Sequence, residues 1–323
     1  MGSIQCKLAT GQTRCTTPGD RSLNKVRVGF RAVIVTCGIL VMSGHSAYAG
    51  NDISSWPDLA NASYEGIEES SVQLTDGRWE GDPYSEGGAS RPSVGLVEDF
   101  VLQGDLDGDG IDELLVALWQ SSGGSGTYNY IAVMETVNHA VTNAATAALG
   151  DRVQIRGGEI SDAAIRLDVV QSGEDDAACC PSQLASRSWT LEGGQLKEHE
   201  TEVTGNLSLA TLEGSEWILE RLKQNQHMPP GVEVTLAFSE SKVSGNSGCN
   251  RFSSGIEDGE SPGEVSTGPA MGTRMACPDE QMKLEHEFLD LLGQVTNYGF
   301  LGGKLVLSGV GESLAFSMVF KPK

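Results

Sequence analysis

Positive charge is scarce in this sequence: 22 Lys+Arg stand against 44 Asp+Glu over 323 residues, a net charge of −22. Six of the basic residues (Lys7, Arg14, Arg21, Lys25, Arg27, Arg31) fall within the first 49 positions, beside one acid, Asp20. The remainder therefore carries −27. A body that acidic is repelled by phosphate backbones and anionic lipid, which argues against a nucleic-acid partner, and it attracts divalent cations. Long apolar runs are missing too. The eleven residues at 32–42 (AVIVTCGILVM) fall well short of the roughly 20 that a spanning helix needs. At 39% hydrophobic, however, the chain is too apolar for a disordered one. No H-E-x-x-H is present, and His139, His199, His227 and His286 are scattered with no nucleophile assigned to them. The glycine-rich segment Gly123-Gly124-Ser125-Gly126 lacks the Lys and Ser/Thr that would meet a phosphate. The expectation is a protein that is not an enzyme.

The apolar run has a context. Lys25, Arg27 and Arg31 precede it and Ala47-Tyr48-Ala49 follows. A basic flank, a short apolar core and small residues at A-x-A describe a secretory signal peptide. Residues 1–49 are read as an extended leader cleaved before Gly50. Cys37 follows Thr36 inside the run, where a lipid anchor would want a small residue before the cysteine. A soluble periplasmic or secreted product, with no membrane span after cleavage, is expected.

Three of the seven cysteines (Cys6, Cys15, Cys37) leave with that leader, and Cys179, Cys180, Cys249 and Cys277 remain. Four cysteines in an exported chain permit two disulfides in three connectivities. Zinc prefers C-x2-4-C pairs, which neither the adjacent Cys179-Cys180 nor the 28-residue step from Cys249 to Cys277 supplies. Cys179 and Cys180 are open to a vicinal bond, a redox role or two long-range bridges. A structural use is preferred, because labile disulfides need special strain or exposure.

Length suggests two domains, placed at 50–205 and 206–323. The first reads as β-rich or α+β. Thr75-Asp76-Gly77 and Glu192-Gly193-Gly194 are hairpin turn signals, and Ile165, Leu167 and Val169 alternate with polar residues. The Ala-rich stretch at 140–149 predicts a short helix ended by Gly150. Its most chemical segment is Gly104-Asp105-Leu106-Asp107-Gly108-Asp109-Gly110-Ile111-Asp112-Glu113. Carboxylates at alternate positions can wrap hard oxygens around one Ca2+. In that register Asp105, Asp107 and Asp109 offer side chains, Ile111 a backbone carbonyl, and Glu113 closes the loop. An EF-hand would carry Glu at the twelfth position, where Val116 stands. The shorter DxDxDGxxE form resembles the calcium loops of FG-GAP-type extracellular repeats, and a structural Ca2+ is the expected cofactor. The segments at 123–128 and 149–155, with Cys179-Cys180-Pro181-Ser182, resemble an uncharacterised exported bacterial domain.

In the second domain Val232, Val234, Leu236 and Phe238 are apolar at period two, as in a strand. Leu284, Phe288, Leu291, Leu292 and Val295 mark one face of a helix. Between them stand Ser244-Gly245-Asn246-Ser247-Gly248-Cys249-Asn250-Arg251-Phe252 and Thr273-Arg274-Met275-Ala276-Cys277-Pro278. This ordered set closely resembles the META/HslJ family over about a third of the chain. The resemblance implies a small, mainly β, barrel-like fold with one helix, in a bacterial envelope protein associated with heat shock and antibiotic tolerance. It transfers no catalytic residue. Gly245 and Gly248 are read as permitting a tight turn, and Asn250 as bonding local backbone. Arg251 and Arg274 are read as paired with carboxylates. Cys249 and Cys277, each within a matching motif, are expected to form a disulfide.

The reading is therefore a mainly β, exported, non-enzymatic envelope protein with a binding or scaffold role in stress or antibiotic tolerance, its ligand or protein partner unidentified. Alternatives are a small-ligand or peptide binder in the barrel mouth, a protease inhibitor using a loop, and a metal-assisted hydrolase using the acids near Asp105.

Overall fold

Leu114-Leu115-Val116-Ala117-Leu118 has no polar face, and the computed structural model shows why: this strand is buried on both sides. The structure describes residues 5–9, 12–16 and 58–323, apart from 138–139, 224–225 and 312–313. The chain divides into two units. Met1–Gly44 contains an antiparallel hairpin of β1 (Gln5–Ala9) and β2 (Gln12–Thr16). The apolar run at 32–42, the Ala47-Tyr48-Ala49 signal and His139 lie outside the described residues.

The second unit, His45–Lys323, begins with a short pair, β3 (Ser63–Tyr64) and β4 (Val72–Gln73). A five-stranded antiparallel meander follows: β5 (Arg78–Glu80), β6 (Ser93–Gly104), β7 (Glu113–Ser121), β8 (Tyr128–Val137) and β9 (Ala140–Asp151). Because strand side chains alternate, Leu115, Ala117, Ile131 and Val133 enter one core while Leu114, Val116, Leu118, Ala132 and Met134 enter another. The second of these is closed by Leu59, Tyr64, Ile67, Val72 and Leu74 from the segment before β5. The first is closed by another five-stranded sheet, β10 (Gln154–Ser161), β11 (Ala164–Gln171), β12 (Gln183–Glu192), β13 (Gln195–Glu198) and β14 (Glu202–Asn206). Ile165, Leu167, Val169 and Trp189 point into it.

Residues 140–149 are strand, not helix. Alanine favours helix, but β9 pairs with β8 from Val137↔Ala140 to Tyr128↔Asp151, and Ala145 and Leu149 fill the core. Tertiary pairing outweighs a weak propensity. The Asn143 side chain donates to the Val133 and Ala145 carbonyls at a register shift in the ladder. The turn at Thr75-Asp76-Gly77 forms as expected, bridging Thr75 to Arg78, with Asp76 and Gly77 at positive φ. Its flanks then part: β4 pairs with β3 and β5 with β6. Glu192-Gly193-Gly194-Gln195 closes the β12–β13 hairpin.

The last part is a barrel. Its strands are β15 (Glu216–Lys223), β16 (Gln226–His227), β17 (Thr235–Ser239), β18 (Lys242–Asn246), β19 (Arg251–Asp258), β20 (Val265–Thr267) and β21 (Met271–Gly272). After α1 (Asp279–Leu292) come β22 (Val295–Leu301), β23 (Lys304–Val310) and β24 (Ala315–Pro322). The main path is β20-β19-β18-β17-β15-β24-β23-β22. Its two ends meet through the Glu264↔Asn297 bridge and the Tyr298 N–H bond to the Gly263 carbonyl. Closing the sheet removes the exposed edges an open one would leave.

Leu284, Phe288, Leu291 and Leu292 of α1 share one core with Trp217, Leu236, Phe252, Tyr298 and Phe320 of the barrel. Phe252 and Phe288 meet edge-on at 5.5 Å. Asp279 and Glu280 sit at the positive end of the helix dipole. Val295, read with this helix face, instead opens β22, because the helix ends at Leu292. The barrel and the second sheet are continuous: Val170 joins the barrel core, the Phe300 N–H bonds Gln154 Oε1 at 2.8 Å, and the Gly303 N–H bonds the Ile155 carbonyl. The chain is mainly β, with one α-helix among the described residues.

Candidate functional site

Three places concentrate chemistry. The first is the loop between β6 and β7. One carboxylate oxygen from each of Asp105, Asp107 and Asp109 lies within 4.8 Å of the others. Backbone bonds shape this arrangement. Gly108 N–H and Gly110 N–H donate to the two oxygens of Asp105 at 2.7 and 3.1 Å, and Asp109 N–H donates to Asp107 at 2.9 Å. Ile111 N–H donates to Asp109 at 2.7 Å. Gly108 and Gly110 adopt positive φ, 82° and 86°, a conformation costly to residues with a Cβ. Glu113 stands apart from the three: it is buried, and its Oε2 accepts the Leu106 N–H at 2.7 Å. Burial raises its pKa, the Leu106 bond opposes that rise, and the three aspartates add to it. Ile111 is 59% exposed.

The second place gathers the paired cysteine motifs of the barrel. Cys249 and Cys277 are bonded, with Cα atoms 6.0 Å apart. Beneath them lies Glu285 of α1, 8% exposed. Its Oε2 accepts Ser247 Oγ at 2.6 Å and Asn250 N–H at 2.8 Å, and its Oε1 accepts Asn250 Nδ2 at 3.0 Å. Burial would raise the Glu285 pKa, but these bonds together hold it below the usual carboxylate range. Asn250 Oδ1 in turn accepts Thr273 Oγ1 and the Met275 N–H, each at 2.8 Å. Asn250 thus ties the two motifs and the helix together, a longer reach than the local bonding expected of it. Gly248 makes the anticipated turn at φ 101°, whereas Gly245 lies inside β18. A Cβ there would sit 1.9 Å from the Thr235 carbonyl oxygen, so close approach and not turning requires glycine. Arg251 and Arg274 are exposed, and neither forms an ion pair among the described residues.

The third place joins three segments of the first domain. Arg152, at φ 51°, points its guanidinium at the Ser125 carbonyl, the Ala178 carbonyl (2.7 Å) and Asp151. Thr127 N–H completes the knot on Asp151 at 3.0 Å. Next to it Cys179 and Cys180 form a vicinal disulfide in the β11–β12 loop. That loop is organised by Asp176, which accepts Gly173 N–H, Ser182 N–H and Ser182 Oγ–H. The Ser182 hydroxyl, and with it the backbone donors, lowers its pKa.

Of the histidines, His199, His227 and His286 are all exposed, and none is grouped with other acids, histidines or cysteines as a metal set among the described residues. The chain carries one nucleophile-like string, Gly259-Glu260-Ser261-Pro262-Gly263. It forms a surface turn between β19 and β20, with Ser261 N–H on Glu264 Oε2 at 3.0 Å. A nucleophile elbow needs a strand-to-helix turn, so the string is a chance match. Sequence reasoning missed Glu285, although a charge between Leu284 and Phe288 on an apolar helix face was a usable signal. Lys304 gave none: it is 6% exposed, paired with Asp99 of β6 and, at 2.6 Å, with Glu220 of β15.

A closed barrel with one helix packed in its core, built over a cystine and a buried carboxylate, is the class of domain these features define. Residues 210–319 match the model of the META domain. Two solved structures are similar in part. One, titled "NMR structure of the protein from Burkholderia xenovorans", is 25% identical, with 36% of this chain and 86% of that one covered, and a TM-score of 0.29. Another, titled "NMR structure of the protein", is 21% identical over 35% and 94% of the two chains, with a TM-score of 0.28. No curated protein matches the chain.

Proposed function

We propose that this is an exported, non-enzymatic protein of the bacterial envelope, in which a Ca2+-stabilised β-rich domain carries a META domain with a binding or scaffold role in stress tolerance. One observation carries the non-enzymatic part. The polar side chains of the paired motifs, Ser247, Asn250 and Thr273, bond one another and Glu285. A catalytic carboxylate would keep an oxygen free for substrate or proton; both oxygens of this one already accept donors. Oxidised cysteines favour export, because disulfides persist in oxidising compartments. Three aspartates held within 4.8 Å favour a cation, since uncompensated charges that close repel.

The test is calorimetric titration of Ca2+ into the chelator-treated chain, beside an Asp107→Ala variant. Binding of one ion, abolished or much weakened in the variant, is expected. Absence of heat and of any shift in melting temperature would leave an acidic turn and refute the calcium reading. N-terminal sequencing of exported protein should begin at Gly50, and an earlier residue would refute the cleavage.

A second reading, a small-ligand or peptide binder, draws on a cleft of about 650 Å³ between the first sheet and the barrel, lined by Arg78, Trp119, Arg221 and Leu301. Arg78 lies over the Trp119 ring at 5.4 Å, a platform suited to a planar group, while Asp76, Glu98, Asp99 and Glu220 on the same walls disfavour an anionic one. The barrel mouth is less suited, because α1 packs its apolar face into the barrel core.

A further inference from the structure

Three of the chain's eight methionines, Met271, Met275 and Met282, line a single pocket of about 770 Å³ together with His286. Met271 and Met275 are 75% and 60% exposed. Although these side chains are open to solvent, the backbone that carries them is pinned. Met271 pairs with Ser253 and Gly272 with Phe252, Thr273 N–H bonds the Arg251 carbonyl, and Met275 N–H bonds Asn250. Two residues further on, Cys277 is tied to Cys249. The thioethers are therefore presented on a fixed frame, with their own side-chain torsions left free to adapt.

The other wall is helical. Met282 and His286 stand one turn apart on α1, which places both side chains on the same stripe. His286 Nδ1 lies 3.0 Å from the Met282 carbonyl oxygen. A carbonyl only accepts, so Nδ1 carries the proton in this bond and the Nε2 lone pair is left available. That is the arrangement by which metal-binding imidazoles are oriented.

We propose that Met271, Met275, Met282 and His286 form a binding site for a soft monovalent cation, Cu(I). Thioether sulfur and imidazole nitrogen are soft or borderline donors, matched to Cu(I) and poorly matched to Ca2+ or Mg2+. All four donors are neutral. A neutral donor set favours the lower charge, the Arg274 guanidinium that also borders the pocket repels a divalent ion more than a monovalent one, and the bordering carboxylate, Glu285, has both oxygens engaged by Ser247 and Asn250. Both neighbouring cysteines are closed as a disulfide, so no thiolate competes. The site is independent of the acidic loop and of the reading given to it.

The experiment titrates the full chain with Ag(I), a redox-inert analogue, in chloride-free buffer, and anaerobically with Cu(I) against a chromophoric chelator. One equivalent should bind, unaffected by excess Ca2+, with the His286 Nε2 resonance shifting on addition. The Met271→Leu/Met275→Leu/Met282→Leu variant keeps the volume and apolarity of the side chains, so its melting temperature without metal should match the parent. Its affinity should fall by at least about tenfold, as should that of His286→Gln. Equal affinity of parent and triple variant, an unchanged His286→Gln, or displacement by Ca2+ would each overturn the site.

Discussion

Replacing Glu285 by Gln changes one atom and one charge at the centre of the barrel's polar network. In the parent, two oxygens accept three donors: Ser247 Oγ–H, Asn250 N–H and Asn250 Nδ2–H. The hydroxyl has an alternative acceptor in the Asn250 carbonyl at 2.8 Å, and Asn250 Nδ2 has the Met275 carbonyl at 3.4 Å. The Asn250 backbone N–H has no such choice and would face either an amide NH2 or a weaker neutral acceptor. Bonds to a charged group are worth about 1.5–3 kcal/mol and a stranded buried donor costs about 1–3 kcal/mol, so a net loss of about 2–3 kcal/mol is expected. Urea unfolding with the disulfides intact would measure it. The pH dependence adds a signed check. Because the folded-state pKa of Glu285 is lowered, its charge stabilises the fold above the ordinary carboxylate range, and that contribution disappears as pH falls through the folded pKa. The gap between parent and Gln variant should therefore be full at neutral pH and shrink on acidification. A loss under about 0.5 kcal/mol, the usual scatter for innocuous surface changes, would refute the network's role.

Opening the Cys249–Cys277 bond with paired serines releases a loop of 28 residues and should cost about 3–4 kcal/mol in the chain-entropy model, read as a lower urea midpoint. Gly245→Ala drives a Cβ to 1.9 Å from a carbonyl oxygen, so β17 and β18 must separate; loss of more than about 2 kcal/mol, or of folded protein altogether, is expected. Lys304→Met leaves Asp99 and Glu220 facing each other without their shared cation. Both carboxylates retain some water, so about 2 kcal/mol is expected, partly recovered by adding Asp99→Asn. Failure of that second change to restore stability would mean the charge pair is not the cause.

Much of the fold was legible because it rests on local rules. Period-two apolar patterns marked β11 and β17, Gly193-Gly194 marked a hairpin, and the apolar stripe from Leu284 to Leu292 marked α1. Where the reading failed, a distant partner had overruled a local preference. The alanines at 140–149 became a strand because β8 offered a ladder, and Gly245 was needed for a backbone that approaches from β17. Arg251 and Arg274 form no ion pair among the described residues, because both lie exposed, where water solvates a lone guanidinium at little cost.

By itself the sequence determined the mainly β class, the helix α1, the acidic loop with three alternate carboxylates, and the paired cysteine motifs of the barrel. These follow from side-chain periodicity, charge and glycine placement, each a property of neighbours along the chain. Tertiary structure alone decided that Glu285 is the common acceptor for the cysteine motifs, that Arg152 gathers three separate segments, that Lys304 links barrel to sheet, and that three methionines and a histidine share one pocket. Each of those depends on side chains brought together from distant strands, and the free energy of such a contact exists only once the closed fold has excluded water and fixed both partners.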